Sequence, residues 1–317
     1  MASMVQRVAE AYERIRGVVR ETPLEESSAL SGGAGGTVLF KLEHLQHTGS
    51  FKFRGASNKV ELLTPEQAAR GVVAASNGNH GLGVAAAARA RSIAAEVFVS
   101  SSVSPAKARR IESMGARLRT AGADPLDAEL AARSAAESSG RVFISPYNDF
   151  DVIAGQGTIG VELHRQAPHL DAVFVAVGGG GLIAGIGGWL KAVSPTTQII
   201  GCWPQNSPVL YRCLEAGEVV EVPEQPTLSE STTGGLETGT VTLELCRKAI
   251  DRAIFVPEDE ILSAMRLVLE AEHWVIEGAA AVAVAAYRQD AHRWAGKTVA
   301  ILLCGRNVSP EVWRQVV

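Results

Sequence analysis

Val173-Phe174-Val175-Ala176-Val177-Gly178-Gly179-Gly180-Gly181-Leu182 joins an unbroken apolar run to four successive glycines and then to a helical pattern over 182–192. An apolar run with no polar alternation suits a strand covered on both faces, as in a parallel sheet. The unit is therefore strand, turn, helix. Glycines at such a turn let the backbone approach a ligand closely and take up φ > 0. Their N–H groups then converge at the positive end of a helix, which suits a phosphate. A tight turn alone needs one or two glycines, and four exceed that need. Gly179, Gly181 and Ala184 also satisfy G-x-G-x-x-A, the phosphate motif of dinucleotide sites. Such sites need an acid at the end of the following strand, and here that strand ends Gly201-Cys202-Trp203-Pro204-Gln205. A phosphate without a ribose is the better reading.

Working outward, further strand-like runs lie at 38–42, 72–75, 97–99, 142–144, 199–202 and 299–303. Helical patterns fall between them at 81–91, 105–114, 125–138 and 153–165, and later at 258–272 and 277–287. Alternating strands and helices imply an α/β fold with mostly parallel sheets flanked by helices. The 317 residues, 46% of them hydrophobic and 20% charged, can bury a sizeable core and argue against disorder. A net charge of −4 without a basic run argues against nucleic acid as a partner. No apolar stretch has the length of a membrane span, and residues 1–20 have no apolar core of a secretory signal. Cys202, Cys213, Cys246 and Cys304 show neither CxxC nor zinc spacing, so free thiols in a reducing, cytoplasmic setting are expected. Residues 216–240, rich in Gly, Pro, Thr and Glu, read as loops near a site rather than a linker.

Three other features carry chemistry. Lys52 stands between Phe51 and Phe53, behind Thr48-Gly49-Ser50 and ahead of a small-residue helix. A lysine in apolar surroundings loses ammonium solvation, and its free amine can then form a Schiff base with an aldehyde. Its hexapeptide alone favours a snorkelling lysine, and the rest of the chain reverses that reading. Ser76-Asn77-Gly78-Asn79-His80-Gly81 follows a strand and opens a helix. Hydroxyl, amide and N–H donors there make a nest for a carboxylate or phosphate, or an Asx-type turn with an N-cap. His80 is more often a satisfied structural histidine than an acid or base. Cys304 closes the last strand and either points a weak S–H into a site or fills a small buried space.

A Schiff-base lysine, a monophosphate cradle and a carboxylate nest together point to pyridoxal 5′-phosphate and an α-amino acid. At these residues the chain resembles the serine/threonine dehydratase branch of the fold-type II pyridoxal-phosphate enzymes, which includes threonine dehydratases, serine dehydratases and serine racemases. The resemblance runs from about Thr22 to Asn307 and includes the signature Val152-Ile153-Ala154-Gly155-Gln156-Gly157-Thr158. It implies a two-domain, tryptophan-synthase-β-like fold, with a large domain of residues 1–64 and 149–317 and a small one of 65–148. It implies that Lys52 binds the cofactor and removes the α-proton, that Phe51 packs on the pyridine ring and that Asn79 bonds its 3′-oxygen. Gly178, Gly179, Gly180, Gly181 and Leu182 would hold the phosphate, and Cys304 would contact the pyridine nitrogen. Ser76, Asn77 and His80 would hold the substrate carboxylate.

The implied activity is a dehydratase, or ammonia-lyase, converting L-threonine or L-serine to a 2-oxo acid and ammonia. The alternatives are a dehydratase for phenylserine or 3-hydroxyaspartate, and an amino-acid racemase. Serine racemases carry a serine where this chain has Asn77, and an amide cannot exchange a proton at neutral pH, so racemisation is not expected. Relatives that bind a divalent cation carry a glutamate and an aspartate where this chain has Trp203 and, nearby, Val209, so no metal site is expected. The chain stops at Val317, so feedback control through a carboxy-terminal regulatory domain is not expected either. The segment 231–237 departs from the family's Asp-Gly pattern close to where substrate preference is set. A homodimer is implied by the resemblance alone.

Overall fold

The computed structural model describes residues 3–32, 36–123 and 125–317. In chain order, the strands are Leu24–Glu26 (β1), Thr37–Lys41 (β2), Val72–Ala75 (β3), Ala95–Val99 (β4), Arg117–Thr120 (β5), Val142–Phe143 (β6), Ala172–Ala176 (β7), Gln198–Pro204 (β8), Arg252–Val256 (β9) and Thr298–Leu302 (β10). They form a six-stranded sheet, β1-β2-β10-β7-β8-β9, and a four-stranded sheet, β5-β4-β3-β6. Every pairing is parallel except the antiparallel β1–β2 edge. The chain is therefore α/β, with two largely parallel sheets flanked by helices. The strands of the smaller sheet lie between residues 72 and 143, and those of the larger sheet lie on either side in sequence.

The apolar run read as a strand at 173–177 is β7, whose five residues are all buried at the centre of the large sheet. Two strands carry no such run, β1 (Leu-Glu-Glu) and β5 (Arg-Leu-Arg-Thr), and a third, β9, holds Ala253-Ile254-Phe255-Val256 behind Arg252 but is not among the expected strands. Each lies at the edge of its sheet. Edge strands have one neighbour and commonly carry charge, so periodicity that seeks continuous burial passes over them. Among the described residues no helix is long and apolar enough to cross a membrane.

Between the sheets runs the helix Lys52–Glu61, packed against Asn79–Ala90 on one side and Phe150–Gln166 on the other. Arg54, its third residue, is fully buried. Its guanidinium reaches Glu43 at 2.8 Å and Glu162 at 2.6 Å, and Lys41 Nζ reaches Glu162 at 2.6 Å. Two cations and two anions thus close a neutral buried cluster, completed by a hydrogen bond from Lys41 Nζ to Thr22 O at 2.7 Å. Burial opposes the guanidinium's charge, but Glu43 and Glu162 reverse that and hold Arg54 above its usual range. This cluster ties β2 and the helix Phe150–Gln166 to Arg54, two positions from Lys52.

Candidate active site

Lys52 opens its helix with Phe51 as N-cap. Gly49, at φ +79°, turns the chain into it. The turn is joined to the end of β10 by a bridge between Ser50 and Gly305 and by Phe51 N–H donating to Cys304 O at 3.1 Å. The Lys52 ammonium donates to Pro146 O at 2.9 Å and lies 5.2 Å from the Phe51 ring centroid. Among the described residues no carboxylate pairs with it. Burial lowers the lysine to about 8, against smaller upward pulls from Cys304 and Glu277. Burial, then Glu277, pushes the Cys304 thiol well above its ordinary value, so it stays protonated.

The glycine loop separates β7 from the helix Gly181–Val193, with Gly180 as N-cap at φ +85°. The backbone N–H groups of Gly178, Gly179, Gly180, Gly181 and Leu182 have no acceptor among the described residues. Their glycine character has a second cause besides the one expected. A Cβ on Gly178 would stand 2.9 Å from Thr232, and one on Gly179 would stand 2.5 Å from the Tyr147 ring. One on Gly180 would meet Cys246 Sγ at 2.7 Å, and one on Gly181 would meet Tyr147 Cα at 3.1 Å. Packing forbids a side chain at Gly178, Gly179 and Gly180 and crowds one at Gly181, a second demand for glycine beside the approach of a ligand. The ligand argument rests on five unpaired N–H groups at a helix N-terminus. Tyr147, packed on this loop, follows the Pro146 carbonyl that receives Lys52, so loop and lysine share one site.

Asn79 and His80 open the helix Asn79–Ala90. Asn79 Nδ2 donates to both oxygens of Glu277, at 2.8 and 3.0 Å, and Asn79 Oδ1 accepts from Asn307 Nδ2. His80 Nε2 lies 2.8 Å from Ile144 O, a carbonyl that can only accept, so the proton sits on Nε2. Nδ1 is buried without a partner. Burial, then the nearby Lys52 charge, lowers His80 to about 3, which keeps the ring neutral. Ser76 Oγ accepts from Gly78 N–H at 3.1 Å. The Asn77 amide is held at both ends by Ser100: Nδ2 donates to Ser100 Oγ at 2.7 Å, and Oδ1 accepts from Ser100 N–H at 3.0 Å.

Three participants escaped sequence reasoning. Glu277, read only as the start of a helix, is a buried carboxylate that accepts from Asn79, from Ser231 Oγ at 2.6 Å and from Asn307 N–H at 2.9 Å. Gly305 makes room for it, since a Cβ there would stand 2.6 Å from its Oε2. Tyr147 and Ser231 are the others. The one available signal was Glu277 standing directly before the small-residue run 278–281, and nothing local linked it to Asn79, 198 residues away.

A family model described as pyridoxal-phosphate dependent enzyme matches residues 15–305. The L-threonine ammonia-lyase of Thermotoga maritima is 40% identical over 306 residues, covering 96% of this chain and 75% of that protein. The phenylserine dehydratase of Ralstonia pickettii is 36% identical over 301 residues, covering 95% and 92%. The structure of maize serine racemase superposes with a TM-score of 0.92 at 30% identity, covering 99% of this chain and 97% of that one. The architecture and site thus define a fold-type II enzyme. The chain belongs to the pyridoxal-phosphate dependent enzymes, in the family that holds the threonine ammonia-lyases and serine racemases.

The residues present fit that cofactor. Five unpaired N–H groups suit its phosphate, and Lys52, shifted toward the free amine, suits its aldehyde. Thr48 Oγ1, Ser50 Oγ and His80 Nδ1 are buried polar atoms without partners around the same lysine. Among the described residues no group of three or more His, Cys, Asp or Glu is placed to hold a metal ion. Trp203 is instead fully buried against Tyr211 and Phe255, with ring centroids 5.8 and 6.1 Å away.

Proposed function

We propose that the protein is a dehydratase of β-hydroxy-α-amino acids, with L-threonine and L-serine as substrates and a 2-oxo acid and ammonia as products. The observation that carries this reading is one-sidedness. Burial moves Lys52 Nζ down to about 8, toward the free amine, and the Asn77 amide is locked on Ser100. When bound, pyridoxal phosphate supplies an electrophilic aldehyde carbon and a ring that withdraws electrons from the substrate's α-carbon. The N–H groups of Gly178 to Leu182 hold the phosphate. Phe51 would pack on the ring, and Asn79, now held by Glu277 and Asn307, would turn one N–H from Glu277 to the ring's 3′-oxygen. The protonated Cys304 thiol would stand by the ring nitrogen and donate weakly, without the charge an aspartate would bring.

Ser76 Oγ, the backbone N–H of Asn77 and His80 receive the substrate carboxylate. Lys52 Nζ then accepts the α-proton from one face. A base on one face favours departure of the β-hydroxyl over return of the proton to the opposite face, and hydrolysis of the resulting enamine gives the 2-oxo acid and ammonia. The division into a small domain of 65–148 and a large one of 1–64 with 149–317 belongs to this reading. So do a homodimer and a cytoplasmic setting.

A second reading, a dehydratase for a bulkier or acidic β-hydroxy amino acid, is supported by the similarity to phenylserine dehydratase. Ammonia release from serine, threonine, 3-hydroxyaspartate and phenylserine, with chiral analysis of the unreacted L-serine, separates the readings. The proposal expects threonine or serine to give the highest kcat/KM and no D-serine to accumulate. D-serine forming faster than ammonia would refute it.

A further inference from the structure

A cleft of about 390 Å³ lies on the outer side of the four-stranded sheet, where the helix Pro65–Arg70, the helix Pro125–Ser139 and the edge strand β6 meet. Three arginines, Arg70, Arg133 and Arg141, and one glutamate, Glu137, are among the residues that line it. Arg141 is held by Glu96 at 2.8 Å, and Arg133 lies 4.3 Å over the Phe143 ring. Arg70 has no ion-pair or hydrogen-bond partner among the described residues. Gly140, at φ +65°, faces it, and a Cβ there would stand 3.0 Å from its Nη1. A solvated surface arginine explains Arg70 alone. It does not explain why Arg133 and Arg141, each tethered by carboxylates, line the same concave space as the unpaired Arg70.

The cleft is also wired to the active site. Arg133 pairs with Glu129 at 2.8 Å and with Glu237 at 2.5 Å. Glu237 belongs to the loop that leads back to the large sheet. It accepts from Asn148 Nδ2 at 2.8 Å, and its N–H donates to Tyr147 Oη at 2.9 Å. The Tyr147 ring packs on Gly179, and the preceding residue's carbonyl receives Lys52. One chain of direct contacts thus runs from the cleft to the phosphate loop and the lysine.

We propose that this cleft is a regulatory anion site for a phosphate or phosphate monoester, and that its occupancy weakens amino-acid binding at the active site. Guanidinium forks match phosphate oxygens in paired hydrogen bonds, so phosphate is the anion this lining selects. An anion held by Arg70 and Arg133 competes with Glu237 for Arg133. A Glu237 carboxylate drawn off Arg133 shifts its grip on Asn148 Nδ2 and moves the main-chain N–H that holds Tyr147 Oη against the glycine loop. The effect on turnover rests on the function proposed above, whereas binding to the cleft does not.

The test is calorimetric titration of the cofactor-loaded enzyme with inorganic phosphate at constant ionic strength, using chloride as the control. Wild type should bind one phosphate per chain, and Arg70→Ala should weaken binding about tenfold or more, the loss of a charge-assisted contact. In the same buffers, saturating phosphate should raise the amino-acid KM about fivefold in wild type and leave Arg70→Ala unaffected. Glu237→Gln should retain phosphate binding and lose the KM response. Absence of saturable binding, or binding unchanged by Arg70→Ala, overturns the site. Binding that leaves KM unmoved in wild type overturns the coupling and leaves the assignment of the reaction standing.

Discussion

Arg54 and Lys52 are cations two residues apart on one helix, and their surroundings treat them oppositely. Arg54 meets two carboxylates and is held charged above its usual range. Lys52 meets a single backbone carbonyl and is lowered to about 8. Burial works against both charges, so partners decide the outcome. The fold pairs Arg54 directly with Glu43 and Glu162, whereas Lys52 feels Glu277 only at a distance. The first arrangement makes a scaffold, and the second makes a reactive amine.

The largest difference should appear on removing each cation in turn. Arg54→Met leaves Glu43 and Glu162 buried with only Lys41 to balance them, and should cost about 3–5 kcal/mol of stability in a denaturant titration. Lys52→Met removes an ammonium with no paired carboxylate among the described residues. With its folded value below the unfolded one of about 10.4, Lys52 penalises the fold below pH 8, and the penalty fades as pH rises from 8 toward 10.4. The cofactor-free Lys52→Met variant should therefore melt above wild type at pH 7, and the gain should vanish near pH 10.4. Equal losses from both substitutions would erase the contrast.

Turnover should divide the same pair in the other direction. Lys52→Ala should abolish activity and the visible absorbance of the bound cofactor, because no amine remains to hold the aldehyde or accept the α-proton. An active Lys52→Ala enzyme without added amine would refute the assignment. A gentler probe is Glu277→Gln, which keeps a hydrogen-bonding group beside Asn79 and removes a charge that pulls the Lys52 value upward. Lys52 should then titrate below its wild-type value, with only a modest change in melting temperature.

The two regions also differ in how far the sequence discloses them. Lys52 was legible because Phe51 and Phe53 announce an apolar setting, and the glycine run and Ser76 to Gly81 lie at strand-to-helix turns. The central strands were legible because burial on both faces leaves unbroken apolar runs. The edge strands β1 and β5 were not, because one free edge tolerates Glu and Arg. The ion cluster was invisible for a related reason. Lys41, Glu43, Arg54 and Glu162 read as ordinary charged residues until the fold brings positions up to 121 apart within 2.6 Å. Glu277 and Tyr147 were hidden in the same way, since their roles consist of contacts with distant segments. Even the four glycines were read for a ligand, and the second demand on them, from Tyr147, Thr232 and Cys246 pressing on the loop, was hidden.

The most direct test of the contrast is the pH dependence of cofactor capture by the cofactor-free protein, followed as the growth of visible absorbance after mixing with pyridoxal phosphate. Only the neutral amine attacks an aldehyde. A lysine near 8 is about one-tenth neutral at pH 7, against roughly one part in 2,500 for an unperturbed one. The capture rate should rise with pH and level off with a midpoint near 8. A midpoint near 10.4 would mean that Lys52 is an ordinary solvated lysine, and the account of the site would fail with it.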